Sequence, residues 1–221
     1  EEDLGLTPTL THSQLLKNLT KYSPDQLNQK VTELVQYLLV KDQKKIPIKR
    51  ADILKKVIRE YRDVCSEIIS RANKTLQEVF GLQLVEVDTK HHIYILINNL
   101  PPAQVEEEEE EEEERKESNR DNGKAKLGLL MVILSFIFMK GNSAKDGALW
   151  EFLRRLRVQP GERHEVFGDV KKLLTEEFVR QKYLEITPTP MTDPPEFTYQ
   201  WGPRAAKETS KRDVLHFVAK V

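Results

Sequence analysis

Lys30-Val31-Thr32-Glu33-Leu34-Val35-Gln36-Tyr37-Leu38-Leu39-Val40-Lys41 decides how this chain is read. Its apolar residues recur at spacings of three and four, the period of an amphipathic helix. At about 100° per residue, Leu27, Val31, Leu34, Val35 and Leu38 share an arc wide enough for a core-facing stripe. Leu39 lies at the edge of that arc, Tyr37 well off it, and Val40 on the far side. The helix therefore has a core face and apolar surface left over. Either another element of the same domain covers the remainder, or it is a docking face for a partner protein.

Upstream, Tyr22-Ser23-Pro24-Asp25 opens the helix. Ser23 suits the N-cap, Pro24 the first helical position and Asp25 the positive end of the dipole. Residues 1–22 are polar and read as a flexible lead-in. Downstream, Asp42–Arg50 alternates Ile46 and Ile48 with polar neighbours around Pro47, the pattern of a short edge strand. Helices are expected over Ala51–Glu60 and Glu67–Phe80, the second closed by Gly81. Strands follow over Leu82–Val87 and Ile93–Asn98 about a turn at Asp88–His92. The order helix, short strand, helix, helix, strand, strand is that of a winged helix, so residues 23–100 are expected to form winged-helix domain A.

Residues 101–126 break the pattern with two prolines and nine consecutive glutamates, Glu106–Glu114. Like charges with no apolar anchor imply an acidic disordered linker; a spacer and a decoy of nucleic acid are the two roles open to it. Residues 127–221 then repeat the order as winged-helix domain B. Helices are expected at Leu127–Lys140, Lys145–Leu156 and Val170–Leu184, with Thr175 and the two glutamates after it marking a start inside the third. Strands are expected at Tyr183–Thr187 and Phe197–Trp201, and a last helix at Lys207–Val221. The fold class is thus mainly α with small β-hairpins (α+β), built as tandem winged-helix domains.

The net charge of −1 hides an uneven distribution: residues 1–100 carry +2, residues 101–126 carry −6 and residues 127–221 carry +3. Two mildly basic lobes permit nucleic-acid binding without requiring it. Cys65 is the one cysteine, so no internal disulfide can form, which fits a reducing compartment. No signal-peptide pattern is visible at the start. The apolar run Leu127–Met139 is shorter than the roughly 20 residues a membrane span needs and reads as a buried core helix.

Val35–Lys41, Ile53-Leu54-Lys55, Gly128-Leu129-Leu130-Met131, Phe138-Met139-Lys140-Gly141-Asn142, Phe152-Leu153, Lys172-Leu173-Leu174-Thr175, Lys182-Tyr183-Leu184-Glu185, Trp201-Gly202-Pro203-Arg204 and Glu208-Thr209-Ser210, in that order, resemble the melanoma-antigen (MAGE) homology domain. The resemblance spans about Ser23–Val221. Within the family, Lys41–Arg50 is most similar to the member that serves in the five/six structural-maintenance-of-chromosomes (SMC) complex. The resemblance implies tandem winged helices and a non-catalytic adaptor in genome maintenance and DNA repair, located on chromatin in the nucleus. It implies that a RING-type ubiquitin ligase subunit (non-SMC element 1) docks on the first lobe and is activated there. It implies that the kleisin subunit (non-SMC element 4) uses a hydrophobic groove of the second lobe, and that the assembly binds DNA without sequence specificity. The glutamate run departs from the family's pattern.

For RING-partner binding the candidates are Tyr37, Leu38, Leu39 and Val40. The family's adjacent leucine pair matches Leu38-Leu39, and the resemblance implies a central role for it. Adjacent residues sit about 100° apart, so both leucines cannot face the centre of one stripe. Leu38 reads as core and Leu39 as the contact. For DNA the candidates are Lys171, Lys172, Arg180, Lys182 and Arg204, through phosphate contacts. A second basic set is Lys44, Lys45, Lys49, Arg50, Lys55 and Lys56. Each of these is equally explained as part of a solvated face.

Signals of catalysis are missing from the sequence. There is no G-x-x-x-x-G-K-[ST] loop and no G-x-G-x-x-G. His91-His92 reads as an exposed turn, Cys65 as a small structural residue and Glu176-Glu177 as helix-start charge. The expectation is no cofactor, no metal and no membrane contact, with any ubiquitin transfer belonging to the partner. A free-standing tandem winged-helix transcriptional regulator is the competing reading.

Overall fold

The computed structural model describes residues 12–98, 117–189 and 196–220. The chain divides into two compact units, Glu1–Ala103 and Gln104–Val221. Each mixes helices with small antiparallel sheets, an α+β arrangement.

The first unit begins with α1 (His12–Leu19) and α2 (Pro24–Gln43). Ser23 caps α2: its hydroxyl accepts from the Gln26 N–H at 3.2 Å, and the Gln26 side chain accepts from the Ser23 N–H at 2.9 Å. This reciprocal box satisfies two amides that the first helical turn leaves unpaired. Strand β1 (Ile48–Lys49) runs into α3 (Arg50–Ile53), which continues as a π-helical turn over Leu54–Ile58. A 3₁₀ turn (Arg62–Val64), α4 (Cys65–Phe80), β2 (Leu82–Asp88) and β3 (Ile93–Asn98) complete the unit. The sheet order is β1-β3-β2. Leu34 and Leu38 from α2 meet Ile53, Ile58, Ile68, Ala72 and Leu76 in a core closed by Ile48, Leu84 and Leu96 of the sheet.

The second unit repeats this plan. Helix α5 (Glu117–Met139) leads through β4 (Ala144–Lys145) into α6 (Asp146–Arg155). A small hairpin, β5 (Arg163–His164) with β6 (Gly168–Asp169), is inserted next. The third helix of the unit is composite: α7 (Val170–Lys172), a π-helical turn (Leu173–Glu177) and α8 (Phe178–Arg180). Strands β7 (Leu184–Pro188) and β8 (Phe197–Trp201) join β4 in the order β4-β8-β7, matching the first unit. Helices α9 (Pro203–Glu208) and α10 (Lys211–Lys220) follow, with α10 packed on α5.

The corners repeat as well. Each unit turns through a residue of positive φ after its long helix, α2 or α5 (Lys45, φ 50°; Asn142, φ 68°), after the next helical stretch, ending at Ile58 or at the close of α6 (Arg59, φ 51°; Arg157, φ 61°), and after α4 or α8 (Gly81, φ 62°; Lys182, φ 68°). Left-handed backbone lets a chain leave a helix C-terminus sharply while pairing the last carbonyls.

Several expectations are corrected. The lead-in is not irregular throughout: α1 forms because Leu19 packs on the first core and Asn18 donates to the Asp63 carbonyl at 3.4 Å. Such docking stabilises a helix too short to stand alone. Residues 117–126, assigned to the linker, begin α5, and Lys126 pairs with Glu177 at 3.2 Å. A polar, charged stretch can extend a helix whose apolar part is already fixed in a core. The run Glu106–Glu114 lies outside the described residues. The third helix of the second unit stops at Arg180, and Leu184 belongs to a strand. Asp169, not Thr175, caps its start, accepting from the Lys172 N–H at 3.0 Å. The expected last helix is two helices. Ser210 opens the second, its hydroxyl accepting from the Asp213 N–H at 3.1 Å while the Asp213 carboxylate accepts from the Ser210 N–H at 3.0 Å.

Candidate functional site

On α2 the stripe Leu27, Val31, Leu34, Val35 and Leu38 is buried. Four consecutive residues, Tyr37 to Val40, fan around a helix and cannot form one face. Leu38 is fully enclosed by its own unit, which agrees with the reading of it as core and takes it out of the set of surface candidates. Leu39 is half-buried on one flank of the stripe, packed against that core. Tyr37 is half-buried on the other flank. Val40, opposite the stripe, is 62% exposed and is the apolar residue of α2 most open to solvent.

Tyr37 is the centre of a small electrostatic arrangement. Lys41 Nζ, one turn along α2, lies 5.7 Å from its ring centroid, and Lys56 Nζ, from the π-helical turn, lies 6.0 Å away. Both are within the range of a cation–π contact. Burial, and then the nearby Asp52 charge, push the Tyr37 phenol above its usual value. Neither lysine makes an ion pair within 4.0 Å among the described residues. Sequence reading places Lys56 in a general basic set and does not single out Lys41. Only the fold brings them to one ring.

In the second unit the five candidate cations do not act together. Arg204 is fully buried and is corrected from DNA contact to structural group. Its Nε–H donates to the Gln181 carbonyl at 2.8 Å and one terminal nitrogen donates to Glu208 at 3.0 Å. The Tyr183 hydroxyl donates to the other Glu208 oxygen at 2.7 Å, and the guanidinium lies 5.6 Å from the Tyr183 ring. Gly202 sits just before it, where a Cβ would overlap the Lys182 carbonyl; its N–H donates to Tyr183 O at 2.8 Å. Trp201-Gly202-Pro203-Arg204 is thus a latch that ties the end of β8 to the end of the third helix.

Lys172 and Arg180, both exposed, line a cleft of about 280 Å³ floored in part by Phe167. Asp169, Glu176 and Glu177 line it too, and Lys126 reaches Glu177 across it. The cleft is electrostatically mixed rather than basic. Lys171 is exposed outside that lining, and Lys182 is half-buried in a left-handed corner. A second, smaller depression of about 140 Å³ is lined by Phe136 and Phe152, whose rings stack with centroids 4.4 Å apart, together with Lys140, Glu151 and Arg155.

A buried polar cluster went unrecognised in the sequence. Trp150 Nε1–H and the Tyr199 hydroxyl donate to the same Asp146 oxygen at 3.0 and 2.9 Å. Burial, then the Asp146 charge, push the Tyr199 phenol far up, so it stays a donor. The i, i+4 spacing of Asp146 and Trp150 was the available signal. Both members of the His91-His92 pair are engaged: His91 Nδ1 lies 2.7 Å from Asp88, and the half-buried His92 has Nδ1 2.7 Å from Glu86. Cys65 is buried. Among the described residues, no group of three or more His, Cys, Asp or Glu side chains could hold a metal ion, and no helix is long and apolar enough to cross a membrane.

Two lobes of one plan, an exposed apolar position on the first long helix and a glycine-arginine latch in the second define a class. The profile of the MAGE homology domain matches residues 34–212, and the chain belongs to that family. It is 55% identical over 199 residues to the human non-structural maintenance of chromosomes element 3 homolog, covering 90% of this chain and 62% of that protein. The mouse homolog is 54% identical, with 89% and 67% covered, and human melanoma-associated antigen F1 is 50% identical, with 88% and 61% covered. The chain therefore spans about three-fifths of the length of these relatives. It superposes on one chain of a solved Nse1-Nse3-Nse4 complex with a TM-score of 0.81 and 60% identity, covering 90% of this chain and 91% of that one.

Proposed function

We propose that this chain is a non-catalytic adaptor subunit of an SMC five/six complex, at work on nuclear chromatin in genome maintenance and DNA repair. In this reading its two lobes are tandem winged helices. The first binds and activates a RING-type ubiquitin ligase subunit, non-SMC element 1. The second takes a segment of the kleisin subunit, non-SMC element 4, in an apolar groove, for which the Phe136–Phe152 depression is the candidate. The assembly holds DNA through phosphate contacts, without reading bases. The observation that carries the reading is the likeness, over nine-tenths of both chains, to a chain of the Nse1-Nse3-Nse4 complex. The exposed Val40 beside a sealed core agrees with it, because solvent-facing valine on a long helix is surface suited to a partner.

The test is co-expression with the RING-type and kleisin subunits, followed by sizing and a ubiquitin-transfer assay with and without this chain. The reading expects a stable 1:1:1 assembly and faster transfer when the chain is present. A monomer or homodimer that ignores both subunits yet binds duplex DNA would favour the free-standing regulator instead.

A further inference from the structure

Among the described residues, the second unit carries one piece that the first does not: the hairpin of β5 and β6, set between α6 and the third helix. Two residue pairs hold it, Arg163 with Asp169 and His164 with Gly168. Strands this short do not close a turn on their own. The closure comes from His164. Its Nδ1 accepts from the Val166 N–H at 3.1 Å and from the Phe167 N–H at 3.3 Å. Its half-buried ring stacks on Phe167 with centroids 4.5 Å apart. Phe167 in turn packs on the second core and lines the cleft of about 280 Å³. Asp169, at the far end of the hairpin, lines the same cleft and caps the third helix by accepting from the Lys172 N–H.

A nitrogen that accepts two N–H groups carries no proton, so the neutral ring holds its proton on Nε2. A proton on Nδ1 would turn the acceptor into a donor facing two donors. We propose that His164 is a proton-operated pin. Neutral, it holds Val166 and Phe167 in the closed turn; protonated, it releases the turn and the hairpin end at Asp169. The bonds are present above the range in which an imidazole takes up its proton and are lost as pH falls through it.

The surroundings do not hold the charged ring. Glu162, Arg163 and Glu165 flank it in sequence, and Asp169 is opposite Arg163 in register. Lys126, Lys172, Glu176, Glu177 and Arg180 line the cleft with Phe167. Among the described residues no carboxylate pairs with His164 within 4.0 Å, in contrast to His91 and His92. A charged imidazole would still stack on Phe167, but that contact replaces only part of what the two bonds supply. One wall of the cleft and the start of the helix carrying Lys172 therefore answer to one imidazole.

The experiment follows the full chain by NMR from about pH 8 to about pH 5, the span in which histidines titrate. It reads the His164 ring nitrogens and the amide signals of Val166, Phe167, Asp169 and Lys172. Two variants are compared with the parent. His164→Asn keeps an oxygen that can accept the same N–H groups but takes no proton; His164→Phe keeps a ring and removes the acceptor. The parent should show an unprotonated Nδ1 at the alkaline end, and the four amide signals should shift together with the ring as pH falls. In His164→Asn they should not follow a histidine titration. In His164→Phe the Val166 and Phe167 signals should lie outside the hydrogen-bonded range at every pH; should that variant not fold, the asparagine variant carries the comparison. A proton on Nδ1 at the alkaline end overturns the proposal. So do Val166 and Phe167 signals that hold still while the ring titrates, or that keep the parent's midpoint in His164→Asn. Movement of those two with Asp169 and Lys172 unmoved overturns the link to the cleft.

Discussion

Arg204 is anchored by Gln181: the buried guanidinium's Nε–H meets the Gln181 carbonyl at 2.8 Å, just where the third helix of the second unit ends. The bond satisfies a carbonyl that a helix terminus leaves without an intrahelical partner. The same guanidinium pairs with Glu208, which has 23% of its side chain exposed. Arg204→Ala should therefore destabilise the second unit by about 3 kcal/mol, through a packing defect and a stranded partner. Arg204→Lys should cost less but still be measurable, since an ammonium cannot serve the same fork. Both tryptophans of the chain, Trp150 and Trp201, belong to this unit, so urea unfolding followed by tryptophan fluorescence reads it selectively.

Gly202→Ala tests the other half of the latch. Its new methyl would press on main-chain atoms of Lys182 and Tyr183, which have no flexible end to move aside. A loss of about 2 kcal/mol or more is expected in the same unfolding assay. Stability equal to the parent chain would mean that the latch opens without cost.

The three residues Leu38, Leu39 and Val40 should separate cleanly. Leu38→Ala leaves a cavity in a closed core and should cost about 2–5 kcal/mol. Val40→Asp should change stability by no more than about 0.5 kcal/mol while abolishing capture by the RING-type subunit. Leu39→Ala should fall between them in stability, because its side chain is half-buried. Thermal melts paired with pull-downs give both readouts from one set of variants.

Charge reversal at Lys171, Lys172 and Arg180 should lower duplex-DNA affinity and flatten its dependence on salt, by about one unit of slope for each phosphate that is no longer neutralised. Arg204→Ala, kept below its melting temperature, should leave that slope unchanged because the group is sealed inside. A salt titration in which none of the three reversals alters the slope would remove this face from DNA binding.

Alkaline pH should weaken the first unit in a way that depends on Tyr22. Its phenol is pushed up to about 12 by burial and then by the hydrogen bond it donates to Asp63 at 2.9 Å. The unfolded chain releases that proton near pH 10. The contribution is fully present below about pH 10 and drains away as pH climbs toward the folded value. Tyr22→Phe should flatten the decline in urea stability over that range, as followed by circular dichroism.

Much of the fold was legible because local signals agreed with tertiary demand. The N-cap at Ser23, the stripe on α2 and the left-handed Gly81 each appear in the sequence and perform the expected role, while the Gln26 half of the capping box went unread. What stayed hidden depended on distant partners. Nothing in His12–Leu19 announces a helix without Asp63 and the core to dock against. Arg204 reads as one more surface cation until Gln181, Tyr183 and Glu208 are seen around it. Ser210 carried a readable signal that went unused: Ser-x-x-Asp marks a helix start. Lys41 and Lys56 are 15 positions apart in the chain, and no spacing rule relates them; only the π-helical turn does.

A π-helical turn carries more residues per revolution than the α-helix around it. In the second unit that surplus, at Leu173–Glu177, sits between Lys172 and Arg180, two of the three cations that line the cleft. Deleting one residue there would let the stretch rewind as ordinary α-helix and swing Arg180 by about 100° relative to Lys172. The alignment of those two charges is thus a matter of chain count, adjustable by a single codon without altering either side chain.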